Sequence, residues 1–374
     1  MGCGASTAAP PEPPAPLPQP PVKSALKSVN AFNAGGNSAG PRGSVIYQSK
    51  ELTSGRDSRL SRRRSGVSAA FDTSHIGTCT RHGIAPLPGR RGAKAKINQD
   101  RGLVCWPFNG STAQALLCVF DGHGRHGERI SEYCMRTLPG LLEAQPTVLT
   151  SRPAEHLAEQ VIEMDSMLGA GELEHVAKGA GTTATAVYMR GDTCWVACSG
   201  DSRAVLGSRK GGSIVGTDLS KDHKPDDPIE RARIEAAGGE VTEQGANGAP
   251  ARLWAPDGSC GLAMSRSVGD FSLRGHGHVP DPDVQEFQIT PAEGSADGDC
   301  FVIVASDGIW EFITSQEACE IVSTISDATA ACEKLVMVAE NRWYKVEGVY
   351  RDDITVRHQP RARRLKRAPT PLPI

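Results

Sequence analysis

Residues 116–120 (Leu-Leu-Cys-Val-Phe) run into Asp121-Gly122-His123-Gly124, and residues 301–306 (Phe-Val-Ile-Val-Ala-Ser) run into Asp307-Gly308. In each, an apolar run of strand length delivers an aspartate at its end. The glycine behind it lets the backbone turn sharply and brings a main-chain carbonyl close to a ligand. Asp-Gly is also a common hairpin turn, and Asp257-Gly258 and Asp297-Gly298, in loop-like surroundings, read as turns only. The first two gain weight from their company: Asn98-Gln99-Asp100, Gly200-Asp201 and Asp352-Asp353. Aspartates gathered from distant segments would repel and raise one another's pKa unless cations sat between them. An oxygen-only donor set selects hard ions, Mg2+ or Mn2+. Water held by such ions is a ready nucleophile.

The elements that must position these residues follow from pattern. Apolar residues at Ile130, Tyr133, Cys134, Leu138 and Leu141 have helical spacing and predict a helix over 127–142. Two β-rich stretches follow, over 182–189 and 193–206. Asp227-Pro228 then opens a helix that Gly238-Gly239 closes: N-cap, proline at the first position, glycine past the end. Residues 301–305 read as a strand, 315–325 and 328–341 as helices, and 354–356 as the last strand. Strands joined by turns, with helices between groups of them, imply an α+β fold with antiparallel sheets.

Composition agrees with a soluble globular protein, at 39% hydrophobic and 22% charged residues. No apolar run approaches the roughly 18–20 residues a spanning helix needs. The eleven cysteines are scattered without a C-x-x-C pair, which reads as reduced protein. Cys194 and Cys198, four apart in a strand-like run, share a face. Residues 1–74 carry nine Lys/Arg against four Asp/Glu, and 357–374 carry six Lys/Arg and no acid. With a net charge of −2, this leaves −13 for 75–356. An acidic body between basic ends argues against nucleic acid as a ligand and suits a centre that collects carboxylates around cations. The expected organisation is a disordered Pro/Ser/Arg-rich tail over 1–74, one catalytic domain over 75–356 and a basic tail over 357–374.

With Gly181-Thr182-Thr183-Ala184, Ser199-Gly200-Asp201-Ser202-Arg203-Ala204, Asp222-His223-Lys224-Pro225, residues 262–270 (LAMSRSVGD), Ala305-Ser306-Asp307-Gly308-Ile309-Trp310 and Arg351-Asp352-Asp353-Ile354-Thr355 in order, the chain resembles the metal-dependent serine/threonine protein phosphatases of type 2C, the PPM family, over residues 76–356. The resemblance implies a central sandwich of two antiparallel sheets flanked by helices on both faces, and two Mg2+ or Mn2+ ions at one end. By that resemblance Asp121 bridges the metals, the Gly122 carbonyl holds the second, Asp307 and Asp352 complete the first, and Asp100 acts through water. Asp201 matches a third, weaker metal site. His123 matches the general acid, a task suited to an imidazole. The implied reaction is in-line attack on phosphoserine or phosphothreonine by water between the metals, with no phosphoenzyme. Phosphorylated proteins are the implied partners, and a monomer is expected.

The chain departs from the pattern in three places. Gln99 stands where many members carry a glutamate on the second metal. Ala95 occupies the spacing of a phosphate-gripping arginine, leaving Lys94 or Lys96 as point charges. Arg357-His358-Gln359-Pro360 follows Val356 where a buried strand would continue, so the strand is expected to stop there. These departures make a catalytically silent binding module the alternative function. Asp222-His223-Lys224-Pro225 reads as a structural turn, Asp270 as a loop-ordering residue and His126 as a surface residue. The Cys260-to-Arg266 spacing of a cysteine-dependent phosphatase lacks the glycines its phosphate loop needs.

Met1-Gly2-Cys3-Gly4-Ala5-Ser6 fits N-myristoylation at Gly2, with Cys3 placed for a second acyl chain. Arg59, Arg62, Arg63 and Arg64 form a basic patch, and Arg62-Arg63-Arg64-Ser65 resembles a basophilic-kinase site. The expectation is a protein tethered at the cytoplasmic face of a membrane or, without the tether, in the cytoplasm.

Overall fold

The structure, a computed structural model, describes residues 46–48, 76–87, 92–245, 248–290 and 296–360. Gly2, Cys3, the arginine patch and residues 361–374 lie outside the described residues. Within the 1–74 tail only β1 (Ile46–Gln48) is described, as an edge strand pairing with β3 (Arg101–Cys105).

The larger sheet runs β1, β3, β4 (Gln114–Phe120), β5 (Ala184–Arg190), β6 (Thr193–Ser199) and β9 (Asp283–Gln288). The second runs β8 (Ser213–Asp218), β7 (Arg203–Lys210), β10 (Gly298–Ala305), β11 (Ile354–Pro360) and β2 (Gly77–Arg81). Every pair in both is antiparallel. The fold is α+β, as the pattern implied.

The period-2 alternation of β4 explains its unbroken apolar run. Leu116, Cys118 and Phe120 pack with Ile130, Leu138, Leu157 and Met164, from helices α1 (Gly127–Ala144) and α2 (Pro153–Gly169). Leu117 and Val119 point the other way, into a cluster with Ala204, Leu206, Val302 and Val304 of the second sheet. β10 divides likewise. Val302 and Val304 meet the first sheet, while Ile303 and Ala305 pack with Val322, Leu335 and Ala339 of helices α4 (Ser315–Ser323) and α5 (Ala328–Glu347). A strand covered on both faces has no polar side to show, and each such side chain contributes about 1.5–3 kcal/mol on burial.

Helix α3 (Pro228–Ala236) begins and ends where its signals stand: Asp227 accepts from the Ile229 N–H, and Gly238 has φ 80°. Helix α2 carried no recognised sequence signal. The β-rich stretch 193–206 is two strands in different sheets, because the chain turns at Gly200 (φ 112°), where a Cβ would lie 2.6 Å from Thr183 Cγ2. The turn carries Asp201.

The strand expected to stop at Val356 continues to Pro360, with Val356 to Pro360 pairing Ala305 to Phe301. β2 pairs its other edge up to His358, so two ladders outweigh the polar side chains. Pro360 is the last residue of the strand. Arg357 is fully buried, and Gly102 makes the room: a Cβ there would lie 2.3 Å from the guanidinium. Burial draws the Arg357 pKa down to about 10.

Candidate functional site

The antiparallel registers set one end of β3, β4, β7, β10 and β11 side by side, with Arg101 opposite Phe120, Arg203 opposite Ala305 and Ala305 opposite Val356. The residues just beyond these ends are therefore neighbours in space: Asp100, Asp121, Asp201, Asp307 and Asp352. Asp121 is fixed through its backbone, whose N–H donates to Thr183 Oγ1 at 3.0 Å and whose carbonyl accepts from Thr183 N–H at 2.9 Å. Gly122 cannot carry a side chain, since its Cβ would lie 2.6 Å from the Gln99 carbonyl. Gly308 is held as tightly, 2.0 Å from the Asp353 carbonyl by the same measure.

The carboxylates crowd one another. Burial raises Asp121 well above the usual range, helped by the charges of Asp100, Asp307, Asp352 and Asp201. Burial and then Asp201 and Asp352 do the same to Asp307. Asp100 is 3% exposed, and its pKa is pushed to about 7 by burial and Asp353. Among the described residues no three acidic, His or Cys side chains close into a ready metal cage, and Asp352 is engaged by Lys96 at 2.6 Å and by the Tyr350 hydroxyl at 3.2 Å. Two buried oxygens, Asp100 Oδ1 and Asp201 Oδ1, have no hydrogen-bond partner. Orphaned anionic oxygens in an all-oxygen set fit hard divalent cations.

Further hydrogen bonds hold this set in place. Asp353 accepts from Gly83 N–H at 2.5 Å and Gln99 N–H at 2.8 Å, pinning the 98–100 loop. Ser306 donates to Asp100 Oδ2 at 2.7 Å while accepting from Thr355 N–H. Lys224 donates to Asp201 at 2.6 Å, so the Asp222-to-Pro225 turn reaches the centre. Gln99 Nε2 donates to the Gly124 carbonyl at 2.9 Å and Glu128 at 3.3 Å. This leaves Gln99 Oε1 as the amide's free acceptor.

His123 lies on Gly122–Gly124, a three-residue strand paired with Ala180–Thr182. Its Nε2 is 2.6 Å from Asp270 Oδ2. Burial alone would lower the imidazole pKa, but Asp270, then Asp201 and Asp307, outweigh it and raise it. Asp270 was expected only to order a loop, and this contact gives it a partner at the centre. His126 lies exposed, as expected, and Lys94 lies exposed on the edge pair Ala93–Ala95. Arg266 is taken up by Glu230 and Asp283 and so is not free to grip a phosphate beside Cys260.

Sequence had signalled Asp121, Gly122, Asp307, Asp100 and Asp201, which the fold brings together, and Asp352, which shares their field from beside Lys96. It had named Asp353 only beside Asp352, without a role, and had not signalled Ser306 or Asp270 as parts of the centre, since nothing local marks a partner 206 or 147 residues away.

A sequence model described as protein phosphatase 2C matches residues 89–343. Probable protein phosphatase 2C 34 of Arabidopsis thaliana is 35% identical, over 73% of this chain and 79% of its own. Probable protein phosphatase 2C 73 of the same plant is 35% identical, over 73% and 78%. A crystal structure of serine-threonine phosphatase 2C from Toxoplasma gondii shares the fold with a TM-score of 0.64 at 22% identity, covering 76% of this chain and 94% of that one. With two thirds of its length matched and relatives of this identity, the chain belongs to the protein phosphatase 2C family.

Proposed function

We propose that the chain hydrolyses phosphoserine and phosphothreonine esters on proteins, using two hard divalent cations, Mg2+ or Mn2+, held by Asp121, the Gly122 carbonyl, Asp307 and Asp352. The observation that carries this reading is the convergence of five aspartates from separate segments around orphaned buried oxygens. Gln99 Oε1 and, through water, Asp100 complete the donor set, and Asp201 supplies a third, weaker position. When bound, the cations offset charge on the phosphoryl oxygens and render water nucleophilic.

The chain's own residues do the rest. His123, its protonated form favoured by Asp270, donates a proton to the departing Ser or Thr oxygen. Lys96 stands beside Asp352, where its ammonium can meet a phosphate oxygen once Asp352 turns to a cation. The attack is direct, and no side chain becomes phosphorylated. The N-terminal Met1-to-Ser6 motif supports acylation at Gly2 and Cys3, which would hold the enzyme at the cytoplasmic face of a membrane.

Turnover of p-nitrophenyl phosphate and of a phosphoserine peptide, with and without Mn2+, tests the reading. Activity should vanish with EDTA and with Asp307→Ala, and persist in Cys260→Ser. A chain with no metal-dependent turnover of either substrate would be a silent binding module instead.

A further inference from the structure

Asp270 is built into its place at some cost. It is a non-glycine residue at φ 51°, directly after Gly269 at φ 92°, a conformation that persists only where the surroundings impose it. Two hydrogen bonds and one cleared space impose it. Asp270 N–H donates to the Ala180 carbonyl at 3.0 Å. Gly269 N–H donates at 2.8 Å to Asp165 of α2, which Arg274 also grips at 2.5 Å. Gly181 clears the space for the carboxylate, since a Cβ there would lie 2.0 Å from Asp270 Oδ2.

The protons in this buried group can be assigned by elimination. A carboxylate only accepts, so Ser267, 2.5 Å away, spends its single hydrogen on Asp270 Oδ2. His278 Nε2, 2.8 Å from the Ser267 hydroxyl, must then be a donor to it. His123 Nε2 is likewise a donor to Asp270 Oδ2. The other ring nitrogen of His123, Nδ1, is buried with no hydrogen-bond partner.

We propose that Asp270 is the positioning residue of the leaving-group acid, holding His123 by Nε2 so that Nδ1 is the nitrogen that delivers the proton. The inference rests on the hydrolase reading above. As the phosphorus–oxygen bond to the substrate side chain breaks, its electron pair passes to that oxygen, which takes the Nδ1 proton. A water oxygen forms the new bond to phosphorus and gives up a proton to solvent, from which Nδ1 is recharged. Ser267, itself held by His278, keeps Asp270 from turning away.

A loop-ordering role and a positioning role differ in their dependence on the leaving group. An alkoxide needs a proton to depart, whereas p-nitrophenolate leaves without one. In the full chain with Mn2+, Asp270→Asn is expected to lower kcat on a phosphoserine peptide by about 10²-fold, in the range of a lost general acid. Turnover of p-nitrophenyl phosphate should fall much less. Across a series of aryl phosphates, the rate should depend more steeply on leaving-group basicity than in the unaltered chain, as it should in His123→Ala. Equal losses on both substrates with an unchanged dependence would overturn the proposal and leave Asp270 a loop residue. Should Asp270→Asn not fold, Ser267→Ala, which removes one donor to the same oxygen, is expected to show the same split at smaller size; equal losses there overturn it as well. An unaltered chain inactive on both substrates would instead sink the hydrolase reading and this inference with it.

Discussion

Lys96 Nζ lies 2.6 Å from Asp352 Oδ1, in a pair whose side chains are 23% and 36% exposed. The ammonium also sits 5.4 Å from the centre of the Tyr350 ring. An internal cation thus occupies the carboxylate that the proposed first metal needs, and cation entry must displace it. Lys96→Met should therefore tighten Mn2+ binding by about fivefold, on the order of 1 kcal/mol for a half-exposed pair, while raising KM for phosphopeptide. Calorimetric titration with Mn2+ reads the first effect, and unchanged affinity would refute the exchange.

Gln99 donates both amide hydrogens, to Gly124 and Glu128. Restoring a glutamate at 99 would face an acceptor and a second carboxylate with a new anion. Gln99→Glu alone is expected to destabilise the metal-free protein by about 1 kcal/mol, and Gln99→Glu with Glu128→Gln should recover most of it. Thermal melts in EDTA distinguish this from simple additivity.

Arg357 is a fully buried cation whose guanidinium also donates to the Val356 carbonyl. Arg357→Val gives up that bond and leaves part of the space empty, and is expected to cost about 2–5 kcal/mol, as large-to-small core changes do. Gly102→Ala should destabilise the unaltered chain, because its Cβ meets the guanidinium, and be tolerated alongside Arg357→Val. Chemical denaturation of the four proteins would show whether the two sites are coupled.

His358 is 2% exposed and packs 5.1 Å from the Phe301 ring. Burial lowers its pKa from 6.5 to about 4. The folded state therefore keeps the ring neutral while the unfolded chain takes up a proton below pH 6.5. The stability difference is absent above that pH, grows as pH falls, and is complete near pH 4, at about 3 kcal/mol. His358→Leu should flatten this part of the stability profile, and an unchanged slope between pH 6.5 and 4 would assign it elsewhere.

Gly2→Ala removes the proposed acyl acceptor. A single myristoyl chain binds only marginally, so both Gly2→Ala and Cys3→Ser should move the expressed protein from membrane to soluble fractions. Unchanged partitioning of Gly2→Ala would rule out the tether.

The strand-end aspartates were legible in the sequence because their signal is local: an unbroken apolar run, then Asp-Gly, at residues 116–122 and 301–308. Helix α3 was legible for the same reason, its cap, proline and terminating glycine lying within a dozen residues. What the chain does with those pieces was decided in three dimensions. Thr193 to Leu206 reads as one β-rich stretch, yet Gly200 sends its halves into different sheets and sets Asp201 at the centre. Arg357 and His358 look like a strand's end, yet ladders on both sides carry them into the core. Asp270 meets His123 across 147 residues of chain. Residue types and short spacings are written in sequence, whereas a contact of that kind exists only once both sheets have closed and their burial has been balanced against the charges they enclose.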